Sequence, residues 1–263
     1  MGFFTNPDWF NRPGPYAFTL EHFLFIIISA IIGIIAALLL RKVSPKTLRI
    51  VLICLWASVV FIDAFKWTIQ YSLMFIYPDT YKFSLEQHLP LHSCSMFMYI
   101  CPIALFSKNQ KLRVFALNFL VTVNMIMGFI TMFVGFSGKH ASVFSFFGLH
   151  TLLYHALIFI IPLIMLVTGY YKPKVKDIKY GLATFLALGT VVLIFDIITK
   201  CDYMYFYDGH TFGVFKFIYE NVPHFSIWTT IVVSCYIITA IATHFLVIGI
   251  AKLVEIIKEK RSS

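Results

Sequence analysis

The sequence predicts an all-α fold: a polytopic transmembrane bundle of seven helices forming a single domain over residues 1–263. Three observations predict it. Hydrophobic residues make up 60% of the chain and charged residues only 13%, with a mean hydropathy of +0.85. An average soluble domain is about 25% charged, so too little polar surface remains here to coat a water-soluble globule. Seven apolar runs approach the ~20 residues that cross ~30 Å of hydrocarbon. Finally, Lys and Arg alternate from loop to loop in step with those runs.

The runs, in order, cover 22–40, 50–76, 89–106, 112–134, 144–168, 178–198 and 225–251. The loop after the first holds Arg41, Lys42, Lys46 and Arg49. The loop after the third holds Lys108, Lys111 and Arg113. The loop after the fifth holds Lys172, Lys174, Lys176 and Lys179. The segment after the seventh holds Lys252, Lys258, Lys260 and Arg261. These segments carry fifteen of the 21 Lys and Arg. The alternate segments carry five (Arg12, Lys82, Lys139, Lys200 and Lys216), and Lys66 lies inside the second run. The positive-inside rule then puts the N-terminus outside and the C-terminus in the cytoplasm. The first 22 residues lack a basic n-region and a small-residue cleavage site, so no cleaved signal peptide is expected. Lys outnumbers Arg 16 to 5 and Ile and Phe are abundant, a composition that points to an AT-rich bacterial genome and hence to a bacterial cell membrane as the location. The composition excludes a soluble enzyme, a disordered chain and a disulfide scaffold. The +9 net charge belongs to membrane topology, and no nucleic acid partner is expected. Membrane lipids are the expected environment. The connection Thr199–His224 is rich in Tyr and Phe and reads as an interfacial helix capping the outer side or an aromatic belt segment.

Ionisable side chains inside a span are costly and mark function. Asp63 and Lys66 sit three apart on the second run, where they share a helix face and can pair. Seven histidines (His22, His88, His92, His140, His150, His210 and His224) fall in the outer half or beyond. His155 lies near the midplane, and only His244 falls in the inner half. Asn124 approaches the same outer layer from the fourth run and Asp196 lies near the outer end of the sixth. Many polar groups at one depth imply a cavity.

The densest patch is His88-Leu-Pro-Leu-His-Ser-Cys94. Pro90 suits the first turn of a helix, which would set Cys94 within a turn or two of the positive helix end, where a thiolate is stabilised. His88 and His92 share a helix face, whereas His92 and Cys94 are ~200° apart around a regular helix. A base for Cys94 therefore comes more readily from the fifth run, from His150 or His155. These two are ~140° apart, so only one of them faces the site, and depth favours His150. Cys54, Cys101, Cys201 and Cys235 read as apolar fillers or lone thiols, with no zinc or disulfide spacing. No H-E-x-x-H or C-x-x-C accompanies the histidines, so no metal or cofactor is expected.

The stretch 88–105, HLPLHSCSMFMYICPIAL, resembles the signature of the YwaF-type multi-pass membrane proteins of bacteria, whose pattern is Leu-Pro-Leu-His-x-Cys followed by an apolar run. The span with Trp56, Asp63 and Lys66 is compatible, as is the fifth run with its histidines and the turn ending in Pro173. The Asp202-Tyr-Met-Tyr segment is similar to an Asn-Tyr-rich stretch, with the Asp as a departure. The likeness covers most of the chain, but only the Leu-Pro-Leu-His-x-Cys motif is specific. A eukaryotic relative in the wider family is a phospholipid acyltransferase using a membrane Cys and a His. The resemblance implies that the Cys is Cys94 and the His is His155, with His150 second.

Two function classes follow. The first is a membrane-embedded lipid acyltransferase or hydrolase. Cys94 attacks an ester, one of the candidate histidines His155, His150 and His92 moves the proton, and Asp63, Lys66, His88 and Asn124 bind substrate or oxyanion. The second is a transporter or substrate-binding component built on the Asp/Lys/His site, against which stands the absence of an internal repeat. A retinal protein needs a Lys within the seventh run, which has none before Lys252.

Overall fold

The computed structural model describes residue 4 and residues 18–85, 89–134, 142–207, 213–222 and 224–262. Every regular element among them is helical. The longer ones are α1 (Leu20–Leu40), α2 (Pro45–Ile76), α3 (Phe97–Phe106), α4 (Gln110–Phe119), α5 (Met125–Val134), α6 (Phe146–Val167), α7 (Ile178–Thr199), α8 (Gly213–Asn221) and α9 (Phe225–Ser262). A π-helical segment, Leu120–Asn124, joins α4 to α5 as one continuous rod. Polar residues at the predicted boundaries start the helices. Thr19, Ser44, Asn109 and Ser145 each accept a backbone N–H of the first turn through the side chain, and Pro45 occupies the first position of α2.

Six of these rods are long and apolar enough to cross a membrane. The predicted third span is shorter than the others. Only Phe97–Phe106 is helical, about 15 Å at 1.5 Å per residue, and residues 89–96 approach it through turns. The predicted α-helical start near Pro90 is therefore corrected. The last helix outruns its apolar stretch and continues to Ser262.

The packing is inverted relative to a soluble bundle. On α1 only a narrow stripe is buried (His22, Ile26, Ser29, Gly33 and Ala37), while Ile27, Ile28, Ile31 and Ile32 are half exposed. Apolar side chains that face outward suit lipid. At the centre stand α6 and the π segment. All five residues of the π segment are buried, and α6 packs against α1, α2 and α5. A Cβ at Gly128 would lie 2.9 Å from Cγ2 of Ile158 and 3.2 Å from the His155 carbonyl oxygen, so α5 reaches this close to α6 only because residue 128 is glycine.

The Arg-bearing loops gather at one end, which we call the basic end. The Arg49 guanidinium lies 6.0 Å from the Phe106 ring centroid and that of Arg113 lies 5.0 Å from Tyr170, while Arg113 Nε also donates to the Ala104 carbonyl at 3.2 Å. The opposite end holds the candidate site.

Candidate functional site

The site begins on α2. Asp63 is 4% exposed. Its Oδ1 receives Lys66 Nζ at 2.7 Å, one turn away on the same helix. Nε2 of His150, from α6, stands 3.4 Å from the same oxygen. Carboxylate, ammonium and imidazole thus form one buried charge group across the α2–α6 interface. A buried pair of this kind is strongly dependent on both partners, because losing one strands the other.

From there α6 carries a ladder of rings. His150 stacks on Tyr154, with centroids 5.6 Å apart and planes at 18°. Tyr154 meets His155 edge-on at 5.4 Å and 81°. Nδ1 of His155 lies 2.7 Å from the Thr151 carbonyl oxygen. A carbonyl only accepts, so Nδ1 carries the proton, and in neutral His155 Nε2 is the basic nitrogen. The Tyr154 hydroxyl is buried and approaches Ser95 without reaching hydrogen-bond geometry, in the electrostatic field of Cys94.

Cys94 is half-buried and lies in the turns before α3. Met96 N–H donates to the His92 carbonyl at 3.1 Å, Phe97 N–H to Cys94 at 3.2 Å and Met98 N–H to Ser95 at 3.1 Å. Tertiary bonds hold this segment off a regular helical path. Asn124 Nδ2 donates to the Ser93 carbonyl at 2.6 Å. The Ser93 and Tyr236 hydroxyls are 3.3 Å apart, which ties the turn to α9. The indole N–H of Trp56 donates to the Met98 carbonyl at 3.1 Å, which ties α2 to α3. Cys94 lies within electrostatic range of Tyr154 on α6 and of Tyr236 on α9.

The loop after α7 closes over this turn. Cys201, Asp202, Tyr203, Met204 and Phe206 are all buried. Met204 N–H donates to Nδ1 of His92 at 3.3 Å, and the His92 ring packs edge-on against Tyr203 at 5.1 Å. Tyr203 N–H donates to Asp196 at 3.2 Å, and its hydroxyl donates to the Leu85 carbonyl. The indole N–H of Trp228 donates to the Tyr205 carbonyl at 2.9 Å. Lys200, Met204 and Tyr205 have positive φ, and non-glycine residues hold such φ only where surroundings over-determine them. Over 201–207 the connection is thus a buried loop locked by side chains, and its second half carries the short helix α8, Gly213–Asn221.

Several expected residues come together here. Asp63, Lys66 and His150 form the charge group, and His150, Tyr154 and His155 form the ladder, whose Tyr154 lies within electrostatic range of Cys94. His92 instead anchors the 201–207 loop with Nδ1 as acceptor, which leaves it in a scaffolding position. Asn124 spends an amide N–H on the Ser93 carbonyl, which makes it a positioning group for the Cys94 turn. His88, His140 and His210 lie outside the described residues. His22 is satisfied at both ring nitrogens: Phe18 N–H donates to Nδ1 at 3.1 Å and Nε2–H donates to the Met132 carbonyl at 2.7 Å. His224 is exposed at the start of α9. Among the described residues no group of three or more His, Cys, Asp or Glu is arranged to hold a metal ion.

Sequence reasoning did not single out Tyr154 or Tyr236. Their signal was available, since Tyr154 sits between the two histidines of the fifth run, but a Tyr in an apolar run looks like core. A second polar cluster, at the basic end, was also missed. Asn118 Nδ2 lies 3.1 Å from the Tyr171 hydroxyl and 3.4 Å from Nδ1 of His244. Tyr171 donates to Asp177 at 3.1 Å, Lys174 N–H donates to the same carboxylate oxygen at 3.0 Å, and Nε2–H of His244 donates to the Lys174 carbonyl at 3.1 Å. A Cβ at Gly181 would overlap the Asn118 side chain, so α7 comes this close to α4 only at a glycine. Burial pushes the Tyr171 hydroxyl above its usual range, which keeps it a donor.

No curated protein and no solved structure matches the chain. The family model described as the TMEM164 family matches residues 17–252, which takes in every span and the whole site, and the chain belongs to that membrane protein family.

Proposed function

We propose that this protein is a membrane-embedded lipid acyltransferase with Cys94 as nucleophile and His155 as general base, working from the end of the bundle opposite the Arg-bearing loops, which faces outside. The observation that carries the reading is the juxtaposition of the half-buried Cys94 turn with the His150–Tyr154–His155 ladder of α6. The likeness of residues 88–105 to the YwaF-type signature supports the same pair.

In the proposed reaction the Cys94 thiol gives its proton to Nε2 of His155, and sulfur attacks the ester carbonyl of a lipid. The Nδ1–H bond to the Thr151 carbonyl fixes the tautomer this requires. The Tyr154 hydroxyl donates to the developing oxyanion. Collapse breaks the acyl C–O bond, the imidazolium protonates the departing lysolipid alcohol, and an acyl-thioester remains on Cys94. A second lysolipid hydroxyl, deprotonated by His155, attacks the thioester, and the Cys94 thiolate leaves and is reprotonated. Water in that second step gives hydrolysis instead. Asp63, Lys66 and His150 hold the polar part of the lipid one to two turns nearer the membrane surface.

Purified protein in nanodiscs with a diacyl phospholipid and an isotope-labelled lysolipid tests this. Labelled diacyl product and an acyl mass on the Cys94 peptide are expected from wild type, with neither from Cys94→Ala. Absence of both from folded wild type overturns the reading. The buried Asp63–Lys66–His150 group also supports a second reading, a carrier. Uptake that survives Cys94→Ala and is lost in Asp63→Asn would select it.

A further inference from the structure

We propose that an ester lipid reaches the Cys94 turn sideways from the bilayer, between α2 and α3, and that the Tyr99 hydroxyl receives its ester carbonyl on the way in. The outward stripe of α3 is Tyr99, Ile103 and Phe106, which are 48%, 38% and 47% exposed and recur at intervals of four and three. Ile103 and Phe106 suit lipid tails. A Tyr in such a stripe normally sits at the membrane surface, where its hydroxyl stays wet. Tyr99 does not. Phe106 marks the basic end, with the Arg49 guanidinium 6.0 Å from its ring centroid, and Tyr99 stands seven residues, about 10 Å, further into the bundle. Its side chain leans toward the start of α3, farther still from that surface.

On its inner side Tyr99 adjoins the polar centre. The indole N–H of Trp56 donates to the Met98 carbonyl at 3.1 Å, which seats the first turn of α3 on α2. Asp63 lies two turns from Trp56 along the same face of α2, and Tyr99 is within electrostatic range of it. Tyr154 lies within electrostatic range of Asp63, Cys94 and Tyr99 together. Asp63 and Tyr154 are 4% and 3% exposed and Cys94 is half-buried, so Tyr99 is the most open member of this group and the one that meets the membrane directly. Other approaches are covered. Phe65 of α2 meets Phe146 of α6 edge-on across their seam, with centroids 5.6 Å apart, and the 201–207 loop lies over the Cys94 turn, bonded to it through His92. An ester carbonyl accepts and never donates, and a Tyr O–H at hydrocarbon depth has no water to bond. Each satisfies the other where a lipid enters. The inference rests on the acyl-transfer reading and names its donor as an ester lipid already in the bilayer. A water-borne acyl thioester would have to pass the buried loop instead.

The test is photolabelling of the full chain, carrying Cys94→Ala to prevent turnover, in phosphatidylcholine nanodiscs. One probe is a phosphatidylcholine with a diazirine beside an ester carbonyl, and a second carries the diazirine at the end of the acyl chain. In bulk lipid the ester lies at the membrane surface, so the first probe should not mark Ile31 and Ile32, which are exposed midway along α1. It should mark the peptide that contains Tyr99. Tyr99→Phe keeps the ring and loses the hydroxyl, and should lower that labelling about fivefold. The chain-end probe should mark α1 and α3 alike in both proteins, which shows that the variant is folded and inserted. Ester-probe labelling of α3 no stronger than that of α1, or undiminished in Tyr99→Phe, would overturn the inference. Transfer is measured separately with Cys94 intact. Labelling that depends on Tyr99 in a protein without transfer leaves the lateral entry standing and removes the acyltransferase; transfer without such labelling removes the entry alone.

Discussion

The bundle contains two buried polar clusters of similar composition at opposite ends. At the basic end, Lys174, His244, Asn118, Tyr171 and Asp177 form a chain in which donors and acceptors alternate. His244 uses both ring nitrogens, Tyr171 both donates and accepts, and only Oδ1 of Asn118 is left over, against Gly181. It joins α4, α7 and α9 and leaves no room, since even one methyl group at residue 181 would collide. At the other end the groups are imperfectly matched. Trp67, Gln70 and Tyr154 keep buried polar atoms without hydrogen bonds, and Gln70 lines a cavity. Residue type alone does not distinguish the two clusters, because His, Asn, Tyr and Asp occur in both. What separates them is the degree of satisfaction: the first network is nearly complete, whereas the second leaves several buried polar atoms unmatched.

This contrast breaks most visibly at the chemical step. Cys94→Ala should lower acyl transfer by roughly a thousandfold or more while leaving the melting temperature in lipid nearly unchanged. Equal activity in the variant would remove the functional half of the comparison. The next effect is on stability. Asp63→Asn leaves the half-buried Lys66 without its counter-charge and should cost about 3 kcal/mol, read as a fall in melting temperature. The double variant Asp63→Asn/Lys66→Met should recover much of that stability and none of the activity. At the basic end, His244→Phe strands the Lys174 carbonyl and an Asn118 donor, and should cost about 1–3 kcal/mol with transfer per folded molecule unchanged. A variant that folds normally but loses transfer would show that this network is more than a brace. Smallest in its effect on stability is Tyr154→Phe. It removes a hydroxyl with no hydrogen bond, so stability should hold or rise slightly, while transfer falls about 10²-fold through kcat with KM unaltered. A loss in KM alone would make Tyr154 a packing residue.

The lipid-facing architecture was the easiest part to read. α1, α2, α6 and α7 each fall within a few residues of the runs seen in the sequence, because length and apolarity are set by hydrocarbon thickness and need no partner. The caps Thr19, Ser44, Asn109 and Ser145 also act on their own first turn, but they were not read from the sequence. The Asp63–Lys66 pair was readable for the same reason, as three residues along one helix.

The third span was misjudged at its start. Pro90 is a good helix starter locally, but His92 is drawn to the backbone of Met204, and Asn124 to the carbonyl of Ser93. Partners 31 and 112 residues away thus decide that Cys94 sits in a turn. The π segment is likewise absent from any local pattern. It widens the α4–α5 rod where Asn124 has to reach the Ser93 carbonyl, and Thr122 back-bonds to Asn118 at 2.6 Å.

The sequence by itself determined that the chain is an all-helical membrane bundle, with its polar residues concentrated near one depth and a His/Cys-rich segment beside them. Hydropathy, charge alternation and helix period are properties of neighbours in the chain. Only the tertiary structure decided that His92 holds the 201–207 loop, that Tyr154 stacks between His150 and His155, and that one polar cluster is closed while the other adjoins a cavity. Those outcomes depend on donors meeting acceptors across helices, and hydrogen bonds between segments tens to more than a hundred residues apart leave no periodic trace in the sequence.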